Sequence, residues 1–319
     1  MCAALLLLQG SGLEMHVRQW AAFGILCVIW GSTWAAIRVL VGDVPPMRAA
    51  AVRFLIAGVV ALVWMLIKRE RMPCGTEWRA LLLLSVAMIA APFAIIFWAE
   101  QSVASGTTAL VYSAVPVFIS FLGPLVKGHV GETPRRAVLA MTVGMGGIAL
   151  LLQGAIRVSW AQTWGIVALL AAVAMSAWAT IYAKTTLAAK GSELHAGMSS
   201  AWQFLLGAAW LEAASLLLEH GQPGAWTHEA VAAELFLSIV GSVVAFTLYY
   251  WLLKQWEPYK IGMMPLILPG VAVTEGALLL HERLQWQMAV AMVVILGSVA
   301  FVMRAQPVDD EPVTIQIEG

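Results

Sequence analysis

Apolar runs of about twenty residues, separated by short polar turns, fill this chain from residue 20 to residue 303. A helix crossing ~30 Å of hydrocarbon needs about 20 apolar residues. On that measure the runs divide into ten spans, near 20-41, 47-67, 80-99, 106-126, 136-153, 164-184, 196-218, 231-253, 260-280 and 286-303. The connections carry turn chemistry, as at Val44-Pro45-Pro46, Arg71-Met72-Pro73-Cys74-Gly75 and Gly221-Gln222-Pro223-Gly224. None is long enough to separate soluble domains, so the pattern predicts an all-α integral membrane protein with ten transmembrane helices.

The runs also repeat at an offset of about 150 residues. Ala51-Val52-Arg53-Phe54-Leu55 returns as Ala201-Trp202-Gln203-Phe204-Leu205, Trp98 as Trp251, Pro116 as Pro269, and Ala140-Met141 as Ala291-Met292. Solenoid periods run to roughly 50 residues, so a period this long is half a protein. Five spans per repeat is an odd number, and the second half must therefore enter the membrane from the opposite side. Two inverted five-helix repeats are the architecture of secondary transporters, whose site lies near the midplane between the halves.

Lys and Arg set the orientation. With the N-terminus inside, the inner side carries Arg18, Lys68, Arg69, Arg71, Arg79, Lys127, Arg135, Arg136, Lys184, Lys190, Lys254, Lys260 and Arg304. The outer side carries Arg38, Arg48, Arg157 and Arg283. Both termini are accordingly expected in the cytoplasm. Leu5 to Leu8 is too short for a signal-peptide core, and Met15, just before the first span, offers an alternative start. The acidic tail after Ala305 is expected to be disordered.

Composition narrows the function classes. The chain is 61% apolar and 11% charged, where a soluble protein carries about 25% charged residues, which excludes a soluble globule. Zero formal net charge points to no nucleic-acid partner. The expected partners are a lipid bilayer and a small-molecule substrate, with the oligomeric state left open. Cys2, Cys27 and Cys74 lack metal-ligand spacing and are expected as free thiols, with no metal and no cofactor. HExxH, GxSxG, GxxxxGKS/T and strand-following GxGxxG signatures are missing from the sequence, so any transport must run on gradients or exchange. The alternative is a membrane-embedded enzyme such as a lipid or acyl transferase. It would need convergent His, Asp or Ser residues at one depth, and the six histidines scatter among loops and span ends.

An ionisable side chain inside a span is a functional candidate by default. Arg53, Glu212 and Glu275 lie within spans, and Arg38 and Glu100 at span ends. At ~1.5 Å per residue, Arg53 and Glu275 share the outer third, where an ion pair formed in one state would act as a gate; Arg53, Glu100 and Glu275 are the gating or coupling candidates. Trp30 lies ~15 Å into the first span, beside Ser32 and Thr33, and its counterpart in the second half is Trp178. With Tyr112 and Tyr250 on the fourth and eighth spans, these residues offer the apolar walls and few polar groups of a substrate pocket. Pro92, Pro116, Pro265 and Pro269 are candidate hinges.

The sequence Ile29-Trp30-Gly31-Ser32-Thr33-Trp34-Ala35-Ala36-Ile37-Arg38 resembles the first helix of the EamA-type ten-helix branch of the drug/metabolite transporter superfamily. The resemblance continues through Pro45-Pro46 with Ala51-Val52-Arg53-Phe54, Trp98-Ala99-Glu100-Gln101, Val115-Pro116, Gly241-Ser242, Tyr249-Tyr250-Trp251, Pro269 and Leu280-His281-Glu282-Arg283-Leu284. One departure is that the Glu closing each repeat in that family stands here as Glu282 but is His129 in the first half. The resemblance implies export or exchange of small metabolites, such as amino acids or related amphiphiles, across a bacterial inner membrane. It divides the chain into a cytoplasmic segment 1-19, EamA-like repeats at 20-153 and 164-304, and a cytoplasmic tail 305-319.

Overall fold

The computed structural model of the chain describes residues 12–103, 105–126, 160–187 and 193–279, with isolated helical positions between 138 and 146 and between 290 and 301. Apart from those positions, the fifth and tenth expected spans lie outside the described residues, as do His129, Glu282 and both chain ends.

Among the described residues, six uninterrupted helical runs are long and apolar enough to cross a membrane: Met15–Asp43, Pro46–Ile67, Thr76–Ala99, Trp160–Thr185, Ala196–Leu218 and His228–Gln255. The first lies within α1 (Gly12–Asp43), and the second is α2 (Pro46–Ile67), which starts on Pro46, where a missing N–H costs nothing. The third comprises α3 (Thr76–Leu84), a π-helix Ser85–Ala90 and α4 (Ala91–Ala99). The fourth and fifth are α7 (Trp160–Thr185) and α8 (Ala196–Leu218). The sixth comprises α9 (His228–Leu235), a second π-helix Phe236–Val244 and α10 (Ala245–Gln255).

Two further apolar segments are interrupted. The fourth expected span is α5 (Ser105–Tyr112), a turn at 113–114, and α6 (Val115–Leu122). The ninth is a short α11 (Pro258–Ile261), a turn at 262–263, and α12 (Met264–Leu279). Pro116 and Pro265 stand at the second residue of the helices that resume, where proline fits. The two breaks face each other: a Cβ on Gly262 would lie 2.6 Å from Ile119 Cδ1 and 3.4 Å from Pro116 Cα. Only glycine lets these backbones approach so closely.

Helices α2 and α8 cross at the centre. Phe54 and its repeat equivalent Phe204 touch, with ring centroids 5.4 Å apart, and a Cβ on Gly58 would meet Leu205 Cγ at 2.7 Å. A residue in contact with its own repeat equivalent lies on the pseudo-twofold axis, which places that axis between α2 and α8.

Polar contacts tie the halves together at both ends of the bundle. At one end the Glu219 carboxylate accepts from Met47 N and Arg48 N, at 2.8 and 3.0 Å, capping α2 from the other half. There Thr227 also donates to Asp43 Oδ2 at 2.6 Å. Glu212, expected within a span, reaches solvent at this end, 3.8 Å from Arg48. At the opposite end Trp256 Nε1 donates to Gln19 Oε1 at 3.0 Å; within the second half, Lys184 Nζ donates to Leu253 O and Trp256 O and fixes the end that carries Trp256.

His195 caps α8 from outside the span, its Nδ1 accepting from Gly197 N at 3.0 Å. Burial holds this imidazole below its ordinary value of 6.5, with Glu70 opposing and Lys254 reinforcing that shift. A depressed folded value means that the unfolded chain protonates first. The cap's contribution, about 1 kcal/mol, is therefore full above pH 6.5 and is lost as pH falls through the folded value. Thermal melting in detergent between pH 5 and pH 7.5 should show this loss in the parent but not in His195→Asn, whose side chain caps without titrating in that range; parallel curves for the two would remove His195 as the cause.

Candidate functional site

A cavity of about 850 Å³ of free space, its open mouth included, lies between the halves. The first half contributes Trp30, Thr33, Trp34, Arg53, Phe93 and Tyr112 among others, and the second contributes Ser176, Thr180, Phe246, Tyr249 and Pro265. Both interrupted segments border it, through Tyr112 and Val115 on one side and Gly262 and Met264 on the other. Interrupted helices at corresponding positions of two repeats mark substrate sites in transporters of this architecture.

The walls are aromatic. Trp30 packs on Phe246 and Tyr249, with centroids 5.4 and 5.6 Å away, and Trp34 meets Tyr112 edge-on at 5.8 Å. Hydroxyls punctuate the apolar surface. Tyr112 and Ser176 share a hydrogen bond of 2.8 Å, and Thr180 Oγ1 donates to Ser176 O at 2.8 Å. Having given away its one hydrogen, Thr180 accepts from Tyr249 OH at 2.9 Å.

The π-helix Phe236–Val244 shapes the charged wall. Beyond it the Ala245 N–H reaches Val240 O and Ser242 O and passes over Gly241 O. That carbonyl accepts instead from Trp30 Nε1 at 3.2 Å and from Arg53 Nη2 at 3.3 Å. Ser242 Oγ donates to Leu237 O and accepts from Arg53 Nε at 3.0 Å. A widened turn thus presents the groups that fix both a tryptophan and an arginine of the other half.

Arg53 is 1% exposed. Its guanidinium sits 5.1 and 4.9 Å from the ring centroids of Phe54 and Phe93, an arrangement in which cation–π attraction offsets part of the desolvation. Among the described residues no carboxylate makes an ion pair with it, although Glu234 is near enough to act through space. The Nη1 atom has no hydrogen-bond partner. Glu234 accepts from Ser238 through Oε1 and leaves Oε2 without a partner.

The candidates from sequence divide in their placement. Trp30, Thr33, Tyr112 and Arg53 come together on the cavity wall. Ser32 donates to Val28 O in its own helix at 3.0 Å and stands off the described lining. Trp178 stacks on Tyr182 at 5.0 Å, also away from that lining. Tyr250 lies behind it, donating to Gln203 Oε1 at 2.7 Å. Glu100 is fully buried just past α4, neither carboxyl oxygen having a hydrogen-bond partner among the described residues, and Arg38 donates to its backbone carbonyl. Glu275 falls on α12, and its side chain lies outside the described residues. Sequence reading passed over Phe93, Ser176, Thr180, Phe246 and Tyr249. All are at the right depth for a midplane site, but depth alone does not choose a helix face.

The model of the EamA-like transporter family matches residues 19–153 and again 163–304. The chain belongs to that family, and its two matched segments are the two halves described above. It is a membrane transporter of the drug/metabolite transporter superfamily. Among its relatives are the inner membrane transporter YedA of Escherichia coli, 27% identical over 90% of this chain and 92% of that one, and the transporter YoaV of Bacillus subtilis, 24% identical over 82% and 89%. A protein named as a probable amino-acid metabolite efflux pump of Escherichia coli is 25% identical over 82% of this chain and 86% of its own. A solved crystal structure superposes with a TM-score of 0.74 at 18% identity, covering 90% of this chain and 96% of that one, which shows the fold.

Proposed function

We propose that the chain is a secondary transporter, an exporter or exchanger, of small metabolites such as amino acids or related amphiphiles. The observation that carries this reading is the aromatic cavity between the halves, bordered by both interrupted helices. Such a cavity suits a solute with an apolar body and a few polar groups. The relative named as an amino-acid metabolite efflux pump supports the same solute class. Trp30, Thr33 and Tyr112 bind the solute directly, while Ser32, Trp178 and Tyr250 act from behind the wall. Arg53, Glu100 and Glu275 serve gating or coupling. The membrane is the inner membrane, with both termini in the cytoplasm.

Solute counterflow in proteoliposomes tests the activity: labelled amino acid should accumulate against unlabelled solute trapped inside, and liposomes that show none for any amphiphile would rule the reading out. Reporter fusions test the orientation. Fusions after Arg71, Lys190, Lys260 and Arg304 should report cytoplasm, and a periplasmic signal at the tail would contradict the inverted arrangement.

A further inference from the structure

The geometry points to Arg53 as the residue that selects the substrate, by accepting a single carboxylate from an amphiphile whose apolar body fills the aromatic cavity. The inference rests on the transport reading above and deepens it. Three observations carry it. First, Arg53 lines the cavity, and its buried Nη1 has no hydrogen-bond partner among the described residues. Ser242, Gly241 and the rings of Phe54 and Phe93 hold the rest of the guanidinium, and Glu234 acts on it through space without bonding it, so a carboxylate entering from the cavity can bond Nη1. A buried donor left unpaired is costly, and a charge-assisted bond to a carboxylate is among the stronger ones available.

Second, the charge is not demanded by the fold. The repeat equivalent of Arg53 is Gln203, a neutral side chain. Gln203 is equally buried and satisfied at both ends, donating to Ser199 and accepting from Tyr250. The same crossing of helices is therefore built without a cation in the other half.

Third, Arg53 is the one charged residue among the described lining. One guanidinium, a single positive charge with the N–H groups of Nη1 unused, matches a monoanion, whereas a phosphate dianion would call for further cations. The hydroxyls of Tyr112, Ser176, Thr180 and Tyr249 lie elsewhere on the wall, paired with one another, and they suit a second, neutral or amino, polar group of the solute.

The test uses purified full-length protein and a panel of aliphatic and aromatic 2-amino and 2-oxo acids, each paired with its carboxamide. Binding is read by quenching of tryptophan fluorescence, and exchange by counterflow. In the parent the acids should bind about tenfold or more tightly than their amides, as expected where a buried charge loses its partner. Arg53→Gln should erase that preference. Arg53→Lys, which keeps the charge without the planar fork, should retain part of it. If Arg53→Gln does not fold, the comparison of acid with amide in the parent still decides. Amides bound and exchanged as well as the acids would overturn the role of Arg53 and leave the transport reading standing. A parent that binds and exchanges no member of the panel would overturn the transport reading itself.

Discussion

Trp30→Ala is expected to weaken substrate binding about tenfold or more, the size of effect seen when a buried aromatic anchor is removed from a binding site. The indole forms a wall of the cavity, packs edge-on against Phe246 and at a tilt against Tyr249, and bonds Gly241 O across the interface between halves. Two losses therefore coincide. The aromatic surface disappears, and Gly241 O keeps only Arg53 Nη2 as a side-chain donor. Trp30→Phe separates them, since it restores most of the surface without the N–H. Counterflow in proteoliposomes should rank parent, Phe and Ala in descending order, while elution of all three as one sharp detergent-solubilised species shows that folding is intact. Equal transport by all three would move the solute away from this wall.

The largest expected effect on stability comes from Gly207→Ala. A Cβ at this position of α8 would lie 2.5 Å from Ile89 Cγ2 and 2.9 Å from Ile89 Cβ, on the π-helix Ser85–Ala90. Ile89 is itself fully buried, so neither side can yield without moving a helix. Overpacking of this kind costs about 1–3 kcal/mol, which outweighs the gain of roughly 0.5–1 kcal/mol from replacing a helical glycine by alanine. Gly24→Ala is the matched control, because a Cβ there meets nothing within 4 Å. Thermal melting in detergent should fall for Gly207→Ala and hold or rise for Gly24→Ala; equal melting of the two variants would show that α8 has room to shift.

Much of the architecture was open to reading because membrane helices announce themselves by length and apolarity, and because the repeat is written in residues such as Phe54 and Phe204 that meet at its axis. Trp30, Thr33 and Arg53 were legible for a related reason: depth in a span follows from counting residues. The choice of face did not follow. Tyr249 borders the cavity while Tyr250 turns to Gln203 behind it, since neighbours on a helix point about 100° apart. On this span a π-helix precedes both tyrosines, and a widened turn rotates everything after it relative to the usual 3.6-residue period. Nothing in the sequence around Phe236–Val244 signals that turn. The partners of Arg53 were hidden with it, because Gly241 O and Ser242 Oγ become available through the same distortion.

The two π-helices occupy matching positions in the two halves. Shifted by the 153 residues that relate Trp98 to Trp251, Ser85–Ala90 falls on 238–243, inside Phe236–Val244. In the first half the widened turn ends just before Pro92, whose missing N–H gives a local cause, but the matching residue in the second half is Ala245. The proline alone therefore does not account for the turn. Both halves place a widened turn at the same depth and put it to different use: one holds a cation against the cavity, the other seats Ile89 against Gly207.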